Sequence, residues 1–165
     1  MKSSKERLIE IFEDIHNRGW IPSHRINNTG IGKTFEDLVG ITENNNENPD
    51  FEEFEIKSHR EVAKSPVTLF TLAPTFPRRA NCYLKDTFGE NYPENTSLKK
   101  IHTSIFGDRK NSYIGKYSFQ LINDSDAEVV RIAVYDLKTD ELLDNSVGYT
   151  YEKLKTKLFK KLSEH

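Results

Sequence analysis

Pro49-Asp50-Phe51-Glu52-Glu53-Phe54-Glu55-Ile56-Lys57 is the stretch on which the reading of the whole chain turns. Asp50-Phe51 and Phe54-Glu55-Ile56-Lys57 read as two short strand pieces around a tight turn at Glu52-Glu53. Successive side chains on a strand point to opposite faces, so Glu55 and Lys57 share one face while Ile56 points to the core. The turn returns Asp50 beside Glu55 on the neighbouring strand. Two carboxylates and an ammonium then converge, a trio suited to phosphodiester hydrolysis. Asp50 and Glu55 offer hard oxygens to Mg²⁺, which keeps several waters and also takes a phosphate oxygen. A metal there acidifies a bound water and offsets charge in the transition state. Lys57 can orient the attacking water and stabilise its hydroxide form. Glu36, on a preceding short helix, could reach the same place as an outer carboxylate, binding a second metal or holding a metal water. The ordinary alternative is a solvated strand face carrying common charged residues. Against it stand the apolar neighbours of the motif and the preceding helix that bears Glu36.

Outward from this stretch, the chain reads as one α/β domain over residues 1–165. Ser3-Ser4-Lys5-Glu6 is a capping box opening a helix. Leu8, Ile11, Phe12 and Ile15 follow at helical spacing, and Gly19 suits its stop. A second, short helix is expected over Lys33 to Val39, ended by Gly40. Residues 42–49 form a polar, asparagine-rich loop. Val67-Thr68-Leu69-Phe70-Thr71-Leu72 is β-rich and apolar, the pattern of a buried central strand. Ala73 to about Gly115 is the least regular region. Tyr117–Ile122 and Val129–Tyr135 alternate around Asn123-Asp124-Ser125-Asp126, which predicts a hairpin. Tyr151 to Leu162 is a basic helix with Leu154, Leu158 and Leu162 stacked along one side.

Charged residues make up 30% of the 165 and the hydrophobic fraction is 35%. No apolar run is long enough to span a membrane, and the N-terminus is not a signal peptide. Cys82, the single cysteine, cannot form an internal disulfide, which fits a cytoplasmic location, and it leaves no cysteine framework for zinc. The formal net charge of -2 argues weakly against a nucleic-acid partner. A nuclease, however, needs acids where metal sits and bases elsewhere, so distribution outweighs the sum.

Taken in order, Thr29-Gly30-Ile31-Gly32-Lys33-Thr34-Phe35-Glu36-Asp37-Leu38-Val39-Gly40-Ile41, Pro49-Asp50-Phe51, Glu55-Ile56-Lys57-Ser58 and Leu69-Phe70-Thr71 resemble the MvaI/BcnI family of type II restriction endonucleases. More distantly they resemble the mismatch-repair nicking enzyme MutH. The likeness is ordered from about Asn27 to Pro74; beyond that it is carried by the hairpin and the last helix. It implies a restriction-endonuclease-like PD-(D/E)XK fold, with a mixed central sheet flanked by helices. It implies Mg²⁺-dependent cleavage of double-stranded DNA by Asp50, Glu55 and Lys57, with Glu36 as supporting acid. The metal ligands would be Asp50, Glu55 and the backbone carbonyl of Ile56. The family typically acts as monomers that nick one strand at a time within short sites, with no membrane or small-molecule substrate involved. Two departures stand out. Ile56 replaces the usual Leu of Glu-Leu-Lys, and relatives continue well past a helix like Tyr151–Leu162. The C-terminal DNA-recognition part is therefore expected to be absent or shortened. The rival reading is a non-cleaving DNA-binding module on a nuclease fold that needs a missing segment or partner.

The remaining motifs are weaker. Gly32-Lys33-Thr34 imitates the end of a P-loop, but the glycine required five residues earlier is Asn27. Ser58, His59, Arg60 and Lys64 follow the catalytic strand and are candidate phosphate contacts. Arg78, Arg79 and Asn81 have the composition of a DNA-facing loop. Lys99, Lys100, His102, Arg109 and Lys110 form a looser basic stretch. The lysines of the last helix read as a solvated face. Trp20 and the phenylalanines read as core rather than base-stacking platforms.

Overall fold

The computed structural model describes residues 2–27, 29–41, 49–61, 63 and 66–161. Among them the elements run α1 (Ser4–Asn17), α2 (Gly30–Val39), α3 (Ala80–Phe88), β1 (Glu90–Tyr92), β2 (Asn95–Lys100), β3 (Tyr117–Asp124), β4 (Val129–Asp136), β5 (Leu142–Thr150) and α4 (Tyr151–Lys161). The α/β class expected from the sequence holds, and the described strands pair antiparallel, as β1-β2 and as β3-β4-β5. The chain packs as two compact units, Met1–Thr71 with Lys157–His165, and Leu72–Thr156.

In the first unit the expected capping box is present. Ser3 Oγ accepts from Glu6 N at 3.3 Å, and Glu6 Oε2 accepts from Ser3 N at 2.8 Å. α1 buries Ile15 and sets Phe12 edge-on to Phe35 of α2, ring centroids 6.2 Å apart. α2 starts at Gly30, earlier than the Lys33 expected, and Gly40 closes it in the left-handed region at φ +86°. Gly30 is there for space: a Cβ would lie 2.2 Å from Arg25 O and 2.4 Å from Ser23 Oγ.

Two expectations are corrected in this unit. Trp20 is not core; it is wholly exposed, on the connection between α1 and α2. The run from Val67 to Leu72 is not a buried central strand. It pairs with no strand among the described residues, and Val67 and Leu69 are exposed. β-propensity makes a segment compatible with a sheet, but it supplies no partner for the backbone groups.

The second unit contains the apolar core. Ala80, Leu84 and Phe88 from one face of α3 meet Phe119, Ile132, Val134 and Val147 of the sheet. Phe88 stands edge-on to Tyr117 and Phe119, at 5.3 and 6.4 Å between centroids. The predicted hairpin is β3-β4, in register from Tyr117↔Asp136 to Asp124↔Val129. Asp124 ties its turn by accepting from Ala127 N and Arg131 Nε, each at 3.1 Å. β5 extends the sheet, and Gly148 lets Phe76 approach: a Cβ there would lie 2.4 Å from Val130 O and 2.7 Å from the Phe76 ring. Gly148→Ala should therefore lower unfolding free energy by about 1–3 kcal/mol, as overpacking does. Gly107→Ala, with nothing within 4 Å of the new methyl, should leave the urea midpoint nearly unmoved.

Candidate active site

The quoted motif forms the tight hairpin that its sequence predicts. Phe51 N donates to Phe54 O at 2.9 Å and Phe54 N to Phe51 O at 2.8 Å. Two residues, Glu52 and Glu53, make the turn, and Glu52 sits at φ 51°. Two-residue hairpins use turns with positive φ at this position because their twist matches that of the strands. Arg7 of α1 pairs with the Glu52 carboxylate. In this register Asp50 stands across from Glu55. Asp50 Oδ2 accepts from Ile56 N at 3.1 Å, so the aspartate is fastened to the opposite arm through its backbone.

Glu55 and Lys57 meet on one face, although the two expected strand pieces reduce to the single Phe51↔Phe54 bridge and residues 55–57 form no strand. Lys57 Nζ donates to Glu55 Oε1 at 2.5 Å. The Glu55 side chain is only 4% exposed, whereas that of Lys57 is 40% exposed. An enclosed carboxylate is costly unless a partner compensates its charge. The ammonium provides that compensation from the solvent side, where it can also meet an incoming anion. Among the described residues Lys57 borders at least three hollows within this unit. One, of about 440 Å³, is shared with Glu55, Ser58, His59 and the Pro66–Thr71 segment. Another, of about 450 Å³, is shared with Ser58, His59 and apolar residues of α1 and α2. The third, of about 590 Å³, lies toward Leu8, Phe12 and Phe35.

The other sequence candidates fall as follows. Glu36 is half-buried on α2 beside Gly32. Ile31, Thr34, Phe35 and Leu38 are the α2 residues that line the hollow shared with Lys57. Ser58 and His59 border the same hollows as Lys57. Arg60 is exposed, and Lys64 lies outside the described residues. Arg78, Arg79 and Asn81 belong to the second unit, exposed at the turn into α3, with Arg79 at φ 63°. Lys99 donates to Asp86 O at 2.6 Å, and Arg109 lies 3.8 Å from the Phe106 ring centroid.

Lys33 and Thr34 of Gly32-Lys33-Thr34 are tied to their own unit. The Thr34 hydroxyl donates to Gly30 O at 2.7 Å and accepts from His24 N at 2.8 Å. Lys33 Nζ lies 2.7 Å from Asp37 Oδ1, and His24 Nδ1 lies 3.0 Å from Asp37 Oδ2. Lys33, and after it His24, hold the Asp37 carboxyl below the ordinary carboxylate range. Sequence reasoning missed this Thr34–His24–Asp37 tie because its partners are ten and more residues apart, with no motif linking them.

For a metal, the usable protein donors are the two carboxylates of Asp50 and Glu55, both hard oxygen. Among the described residues no group of three or more His, Cys, Asp or Glu gathers at one point. A pair of carboxylates fits Mg²⁺, which binds through one or two of them and keeps its waters. It does not suit zinc, which needs three or four protein ligands.

The model of the MvaI/BcnI restriction endonuclease family matches residues 9–165. A solved complex of restriction endonuclease MvaI with cognate DNA substrate is 39% identical, with a TM-score of 0.83 over 98% of this chain and 65% of that one. A solved structure of restriction endonuclease MvaI in the absence of DNA is 38% identical, with a TM-score of 0.65 over 99% of this chain and 64% of that one. No curated protein sequence matches the chain significantly. The chain thus spans about two thirds of the length of these solved relatives.

The hairpin tie makes a structural prediction that is separate from chemistry. Asp50→Ala removes the acceptor of the half-buried Ile56 N–H and should cost about 1–3 kcal/mol. Asp50→Asn keeps an acceptor oxygen and should recover most of that loss. Equal urea midpoints for the two variants would refute the tie.

Proposed function

The chain belongs to the MvaI/BcnI restriction endonuclease family, and from that premise we propose that it is a Mg²⁺-dependent, type II restriction-like endonuclease acting on double-stranded DNA. The observation that carries this reading is the hairpin that sets Asp50 across from Glu55, with Lys57 on Glu55. In this reading Asp50 and Glu55 hold the metal, together with the Ile56 carbonyl. When bound, Mg²⁺ supplies a Lewis acid for a phosphate oxygen and for water at the scissile phosphodiester.

The chain's own residues do the rest. Glu55, nearly enclosed, keeps its charge fixed in place because Lys57 Nζ is hydrogen-bonded to it. Asp50, fixed by the Ile56 N–H, cannot swing away from the opposite arm. Lys57, the more exposed member, presents its remaining N–H donors to the attacking water and to a non-bridging phosphate oxygen. Stabilising charge as it develops is where such a preorganised donor gains most. Glu36 is assigned the supporting role of an outer carboxylate. Ser58, His59, Arg60 and Lys64 are assigned to phosphates near the scissile bond, and Arg78, Arg79 and Asn81 to a DNA-facing loop. The products carry 5′-phosphate and 3′-hydroxyl ends, one strand is cut at a time, and the chain acts as a monomer.

One observation favours a second reading. The chain spans 65% of the matched MvaI structure, so it could bind DNA and yet need a further segment to cut it. Purified chain with supercoiled plasmid and Mg²⁺ separates the two: nicked or linear DNA supports the enzyme, and retardation alone supports the module. Lys57→Ala and Asp50→Ala should each lower cutting at least about 10²-fold while the chain stays folded. Ca²⁺ should support binding without cleavage. Vigorous cutting by either variant would sink the assignment.

A further inference from the structure

Trp20 is the chain's single tryptophan, and its relative exposure is 102%. Ile26, on the same α1–α2 connection, is 82% exposed. Burying a large apolar side chain is worth roughly 1.5–3 kcal/mol, and this connection leaves two of them in water.

The connection is nevertheless fastened. Ser23 Oγ donates to Arg25 O at 2.7 Å, and His24 is tied to Thr34 and Asp37 of α2. Its charge is one-sided. From Ile15 to Phe35 the sequence has no Asp or Glu, yet it holds His16, Arg18, His24, Arg25 and Lys33 in a chain whose net charge is -2. Three of these cations pair with acids from outside the stretch, Arg18 with Asp14 and His24 and Lys33 with Asp37. Its position matters too: Ile21 and Ser23 line the same hollow of about 450 Å³ as Lys57, Ser58 and His59.

We propose that the α1–α2 connection is a DNA-contacting element, with Trp20 packing against the duplex beside the strand that Lys57 engages and Ile26 flanking it. The proposal rests on the endonuclease reading. An exposed apolar ring within a cationic stretch can pack on the sugars and groove edges of a duplex or wedge at a base step while the cations meet phosphates. Exposed aliphatic side chains serve as wedges at base steps. In this role the connection positions the duplex; it takes no part in the bond-breaking chemistry.

Because Trp20 is the sole tryptophan, its fluorescence reports this contact directly. Plasmid DNA is titrated into the chain in Ca²⁺, with tryptophan emission, acrylamide quenching and gel retardation read on the same samples. Retardation should be accompanied by changed Trp20 emission and lost acrylamide access. Trp20→Ala should weaken binding roughly 5- to 100-fold, the equivalent of one lost stacking contact, and Trp20→Phe should recover most of it. Retarded DNA with unaltered emission and quenching, and with undiminished binding by Trp20→Ala, overturns the proposal and leaves the endonuclease reading standing. Neither retardation nor cutting overturns both.

Discussion

Everything at the candidate site follows from one backbone exchange, the pair of hydrogen bonds between Phe51 and Phe54. It fixes the register of a hairpin whose arms are only a few residues long. Side chains on paired strands alternate with a period of two, so a slip of one residue would send every side chain to the other face. Asp50 would then lose Glu55 as its neighbour. The turn that sets the register is held at both levels of structure. Locally, Glu52 adopts the positive φ that the short loop needs; tertiary packing adds Arg7 of α1, which pairs with its carboxylate.

Electrostatics explains how Glu55 and Lys57 share one face. Glu55 is enclosed and Lys57 is not, so their pair is asymmetric. Breaking it from the lysine side would leave a desolvated carboxylate without its ammonium, which is costly. The same asymmetry sets negative charge within and the cationic Lys57 at the rim, bordering hollows of about 440 to 590 Å³. Asp50 contributes differently, through a hydrogen bond to backbone rather than through a countercharge. Its partner there is the neutral Ile56 N–H, and a carboxylate is a hard-oxygen donor of the kind Mg²⁺ takes.

The parts of this structure that could be read from sequence are those with local causes. The capping box and stripe of α1, the stop of α2 at Gly40, the Phe51–Phe54 turn and the β3-β4 hairpin all carry short-range signals. The parts that could not be read depend on distant partners. β5, with Asp144, Asn145, Ser146 and Gly148, looks like loop until β4 pairs with it. α3 begins at Arg79 in a left-handed conformation without a side-chain cap, so its start carries no signature. Its stripe of Ala80, Leu84 and Phe88 was the signal available. Trp20 shows the opposite error. Size and hydrophobicity predict burial, but packing surface was not provided for it.

The most direct test of the hairpin as a metal-binding device is Mn²⁺ binding followed by electron paramagnetic resonance, with Mg²⁺ as competitor. It should be run on the native chain and on a variant with one glycine inserted between Glu52 and Glu53. The native chain should bind Mn²⁺ and release it to Mg²⁺, and the insertion should abolish binding while circular dichroism shows the fold retained. Undiminished, Mg²⁺-competed Mn²⁺ binding after the insertion, or no binding by the native chain, would contradict the convergence of Asp50 and Glu55 on one ion.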